Sequence, residues 1–100
     1  MGKRVLLVTA DLLFRSKLAG VVAAAGGEVT RDEAQCDLAV LELGGPAADR
    51  VVEFVRRSVP VLAFGSHVRP DALRAAREAG ATAVPNSQVV QHLMELLKTP

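Results

Sequence analysis

The sequence predicts an α/β fold in which a parallel β-sheet is covered by helices on both faces. Short β-rich runs alternate with segments of helical spacing along the whole chain, and that order leads to parallel strands joined by right-handed crossovers. The run Leu38-Ala39-Val40-Leu41 is apolar on both faces, as a central strand of a covered sheet must be. Glu42 follows it, and Gly44-Gly45-Pro46 then breaks the strand. In open sheets of this kind chemistry collects at the carboxyl ends of the strands, so Glu42 stands where a working group would stand.

The elements follow in order. Arg4–Val8 is a β-rich run. Asp11–Ala25 is helical, with Phe14, Leu18, Val21, Val22 and Ala25 on one face, Asp11 as the N-cap and Gly26-Gly27 as the stop. Glu28–Arg31 is a weak second strand, and Asp32–Gln35 is at most one helical turn. Leu38–Leu43 is the central strand. Ala47–Arg57 is helical, with Val51, Val52, Phe54 and Val55 apolar, and Val59–Phe64 is a strand. Gly65–Arg69 is a loop. Pro70 suits a first helical position, with Asp71 beside the positive helix end, and this helix runs to Ala79 before Gly80 stops it. Ala83–Val84 is a short strand, and Ser87 caps a last helix through Leu97.

Composition narrows the function. One hundred residues, half of them hydrophobic, suit one domain over 1–100 with a core of Val, Leu and Ala, because there are three Phe and neither Trp nor Tyr. A net charge of +1 and the lack of stacking aromatics argue against a nucleic-acid partner. No apolar run reaches the roughly 20 residues of a membrane span, and no signal-peptide pattern opens the sequence. The lone cysteine, Cys36, reads as a small buried filler, and the expected location is a reducing cytoplasm.

Five stretches in order carry a resemblance. They are Arg4–Val8 followed by Asp11, then Ala24-Ala25-Gly26-Gly27-Glu28-Val29, and then Asp37–Pro46. Val59-Pro60-Val61-Leu62-Ala63-Phe64 and Ala72–Ala81 complete the set. Together they resemble the receiver domain of response regulators, which implies a three-layer flavodoxin-like fold with a five-stranded sheet of order 2-1-3-4-5. The segment between the second and third strands is short for that family, so the second helix is expected to be reduced or absent.

The resemblance also implies a site. In receivers two acids after the first strand hold Mg²⁺, an Asp accepts the phosphoryl group, a Ser or Thr after the fourth strand senses it and a Lys after the fifth pairs with it. Here the acid pair falls on Thr9-Ala10, with Asp11 one place late. The acceptor falls on Glu42, the switch residue on Gly65 with Ser66 beside it, and the lysine on Ser87 or Asn86. The expectation is a degenerate pseudo-receiver with no cofactor, no metal and no catalysis. Glu42 then acts as a fixed charge imitating phosphorylation or as a solvated loop acid. Its vestigial pocket comprises Thr9, Ala10, Asp11, Gly65, Ser66, His67 and Ser87.

With that site silent, function moves to surfaces. The expected partner is another signalling protein or a second copy, met through the face between the helix over 70–79 and the last helix, where Arg74, Arg77, Val90 and Met94 lie. Leu12 and Leu13 flank the vestigial pocket, and one of them is expected near solvent. The rival expectation is a small-ligand or anion-binding regulator that uses the carboxyl-end crevice of Thr9, Glu42, Ser66, His67 and Ser87.

Overall fold

The structure is a computed structural model, and it describes residues 2–44, 49–66 and 68–98. Five parallel strands form one sheet in the order β2-β1-β3-β4-β5. The strands are β1 (Arg4–Val8), β2 (Glu28–Thr30), β3 (Leu38–Glu42), β4 (Val61–Gly65) and β5 (Thr82–Pro85). The helices are α1 (Leu12–Ala24), α2 (Val51–Arg56), α3 (Pro70–Glu78) and α4 (Val89–Lys98). The fold class and strand order are those expected.

The apolar runs explain the layering. Along β3, Leu38 and Val40 point to one side and Ala39 and Leu41 to the other, and all four are buried. One side packs with Leu18 and Val22 of α1 and Val89 and Leu93 of α4. The other packs with Val51 and Phe54 of α2 and Leu73 and Ala76 of α3. Helices α3 and α4 therefore lie on opposite faces of the sheet, on either side of the β5 edge. On the α1 side Phe14 stacks on Phe64, with ring centroids 5.2 Å apart and planes 11° apart.

The link between β2 and β3 is a single 3-10 turn, Glu33–Gln35, capped by Asp32, whose side chain accepts from the Ala34 amide. Arginines from the other side of the chain pin this turn. Arg50 pairs with the Glu33 carboxylate, and Arg57 donates to the Glu33 carbonyl at 2.7 Å. Both guanidinium groups lie over the Phe54 ring, 5.4 and 5.3 Å from its centroid. Strand β2 has only three residues. The Leu7 carbonyl of β1 stands beyond the last β2 residue, and Arg15 of α1 donates to it at 2.7 Å.

Several expected boundaries change. Helix α2 starts at Val51, not Ala47; Asp49 and Arg50 form a 3-10 turn, and 47–48 lie outside the described residues. Only Val51 and Phe54 are buried in that helix, and Val52 is exposed; Ser58, at φ 60°, stands just past its end. Val59 and Pro60 precede β4 without belonging to it, and Gly65 is the last residue of the strand, paired with Pro85, not the first of a loop. Ser87 does not cap the last helix. It sits exposed in a 3-10 turn, Asn86–Gln88, entered from Pro85 with no side-chain cap. Ala25 lies past the end of α1 and is exposed, so it adds nothing to the buried face of that helix.

Candidate functional site

The carboxyl ends of β1, β3 and β4 meet at Glu42. Register places Glu42 beside Phe64, and Val8 pairs with Leu41, so the turn after β1 rises next to the Glu42 side chain. The Thr9 hydroxyl donates to Glu42 Oε1 at 2.8 Å, and the Ala10 amide donates to the same oxygen at 3.1 Å. The Asp11 amide donates to Thr9 Oγ1 at 3.2 Å, so Thr9 relays one hydrogen bond into the next. The Asp11 carboxylate faces elsewhere: its Oδ1 accepts from the Phe14 amide at 3.0 Å and caps α1.

Glu42 is thus not a loose loop acid. It ties the end of β3 to the β1–α1 turn. The extra methylene of Glu over Asp carries the carboxylate across to that turn. Replacing Thr9 by Val keeps the shape and removes the hydroxyl. The expected cost is about 1 kcal/mol, the net worth of one partly exposed hydrogen bond, measured as the shift of the urea midpoint. In a cycle with Glu42→Ala, coupling near zero would show that the two side chains do not depend on each other.

The other expected pocket residues divide. Gly65 and Ser66 come together with Leu43, Gly44, Arg69, Ala72 and Leu73 around a cleft of about 220 Å³. Ser66 Oγ accepts from the Val68 amide at 3.3 Å. Arg69 is exposed, and no ion pair with it occurs among the described residues. His67 lies outside the described residues. Ser87 is in the turn after β5 and makes no hydrogen bond to this cluster. The chain's three lysines are Lys3, Lys17 and Lys98, and none stands at the carboxyl ends of the strands. Among the described residues no three His, Cys, Asp or Glu side chains converge as a metal site would require.

The expected interface residues lie on the two helices that flank the β5 edge. Arg77 donates to the Ala83 carbonyl at 3.0 Å and is folded onto the β5 edge. Val90 is half-buried against the α1–α4 core. Arg74 is exposed on α3, and Met94 is 46% exposed on α4, on the other face of the sheet. Leu12 and Leu13 are both exposed, at 77% and 87%, where one was expected. Cys36 is buried as expected, and burial pushes its thiol pKa up, against a smaller pull down from the nearby Arg57 charge.

No helix among the described residues is long and apolar enough to cross a membrane. No protein-family model matches the chain, and no curated protein matches it in sequence. Solved structures do. The receiver domain of NtrX from Brucella abortus superposes with a TM-score of 0.73 at 18% identity, over 96% of this chain and 99% of that one. The Mn²⁺-bound form of the response regulator Rcp1 gives 0.76 at 15% identity, over 98% and 96%. The fold is the receiver fold. Longer NtrX from Brucella abortus matches with a TM-score of 0.73 at 17% identity over 98% of this chain, which spans 28% of that protein's length. At these identities the likeness concerns the receiver fold alone.

Sequence reasoning put Glu42 at the end of the third strand with Thr9 and Ala10 near it, and did not foresee the hydrogen bonds that join them. The signal was available in Thr9, a hydroxyl at a position where the receiver pattern expects an acid. Arg15 carried no comparable signal, since a lone arginine on a helix face reads as solvated.

Proposed function

We propose that this chain is a pseudo-receiver: a single receiver-like domain over 1–100 that signals by protein–protein contact, without catalysis and without phosphorylation. One observation carries the reading. The Glu42 carboxylate at the end of β3 accepts from Thr9 and Ala10, the two residues on which the acid pair of the receiver pattern falls. Mg²⁺ needs oxygen ligands, normally including carboxylates, and a hydroxyl, a methyl group and one already bonded Glu are a poor set. No lysine stands at this end of the sheet to neutralise a phosphoryl group. A hydrogen-bonded link in place of a phosphorylated switch suits a domain held in one conformation and read by a partner. Incubation with Mg²⁺ and acetyl phosphate, followed by intact mass measurement, is expected to give no phosphoryl adduct, and a stable adduct on Glu42 would overturn the proposal.

A second reading is an anion-binding regulator, favoured by the exposed Arg69 guanidinium lining the cleft beside Gly65 and Ser66. A rise in Tm with inorganic phosphate or a nucleotide, lost in Arg69→Ala, would favour it over the first.

A further inference from the structure

An apolar groove lies away from the carboxyl-end cluster. It runs between the second half of α1 and the end of α4, with a volume of about 560 Å³. Gly20, Val21, Ala24, Ala25, Met94 and Leu97 line it, and Lys17 and Lys98 stand at its rim. Its walls belong to one packed unit, since α1 and α4 share the core that holds Leu18, Val22, Val89 and Leu93. Both helices run from the carboxyl end of the sheet toward its amino end. Lys17 therefore marks one end of the groove and Lys98 the other. Neither ammonium is in an ion pair among the described residues, and no acid lines the groove.

We propose that this groove docks an amphipathic helix of a partner protein, one that carries aliphatic side chains between acidic residues. Charge complementarity selects the occupant. Two cations at opposite ends match a segment with two separated carboxylates, whereas a fatty acid brings a single anionic head. A second copy of this chain, paired face to face about a two-fold axis, would bring four lysines together, and like charges in contact disfavour that. Shape agrees. From Lys17 to Ala24 the α1 wall is about 10 Å long, room for roughly two turns of a facing helix. Gly20, Ala24 and Ala25 are small enough for another helix to approach closely, and a Cβ built on Gly20 meets nothing within 4 Å. Met94 supplies an adaptable apolar contact. This inference is independent of the carboxyl-end site and holds whether or not Glu42 accepts a phosphoryl group.

The probe is a helical peptide of about 18 residues, long enough to hold a helix, with Leu at i, i+3, i+4 and i+7 flanked by Glu, titrated against the full chain by fluorescence anisotropy. Saturable binding is expected, weakening with salt. Gly20→Leu fills the groove without touching the core and should weaken binding at least tenfold. The double variant Lys17→Glu with Lys98→Glu should lose the Glu-flanked peptide and gain a Lys-flanked one. Thermal melts establish that each variant is folded. Unchanged affinity in both folded variants overturns the proposal. So does equal binding of the two peptides to the native chain, saturable binding of laurate in preference to the peptide, or a dimer by light scattering that Gly20→Leu dissociates.

Discussion

Phe54→Ala is expected to destabilise the chain by about 3–5 kcal/mol, the range for removing a fully buried ring. Phe54 is 0% exposed and is one of two buried residues in α2, a helix of six residues. Such a short helix has almost no intrinsic stability, so its place on the sheet depends on Phe54 and Val51. The ring has a second role. Arg50 and Arg57 lie on it, and the same two arginines hold the Glu33 turn between β2 and β3. Removing the ring takes away that platform, worth about 0.5–1 kcal/mol for each exposed cation–π contact. Phe54→Leu keeps most of the volume and loses only the platform, so it should fall well short of the alanine variant. Urea denaturation of both, with Val52→Ala as the exposed control, checks the ordering. A loss below 1 kcal/mol for Phe54→Ala would mean that α2 is not anchored by this ring.

Gly80→Ala is expected to cost about 2–5 kcal/mol, from a strained backbone together with an overfilled contact. Gly80 has φ +106°, and a Cβ placed there would lie 2.9 Å from Val55 Cγ1 and 3.6 Å from Cγ2. The Val55 branch belongs to α2, whose position is set by the core, so it has little freedom to retreat. Gly20→Ala should act in the opposite sense. That position is inside α1 with open space around it, and alanine there should stabilise by roughly 0.5–1 kcal/mol. Combining Gly80→Ala with Val55→Ala should recover the steric part of the loss and leave the backbone part. Thermal melts of the three variants give the test. Similar shifts for the two glycines would show that backbone conformation and the Val55 contact do not govern Gly80.

Much of the fold could be read from residue pattern. The continuous apolar run Leu38–Leu41 fixed β3 as a strand buried on both faces, and Asp11 marked the start of α1. Pro70 and Gly80 bracketed α3. These are local signals, set by backbone preference and by which face meets water. The boundaries that moved, at α2, β4 and the turn before α4, depend on pairing. Gly65 is a strand residue because Pro85 lies opposite it, which no local preference expresses.

The sequence by itself determined the alternation of strands and helices, the acid that ends β3, and the lack of a lysine at the carboxyl end of the sheet. Only the tertiary structure decided what those residues do. It joined Glu42 to Thr9 and Ala10, folded Arg77 onto the β5 edge, and opened a lysine-rimmed groove between α1 and α4. The physical reason is range. Hydrophobic periodicity acts over a few neighbours along the chain, while a hydrogen bond or a groove depends on side chains brought together from distant positions by strand register and helix packing.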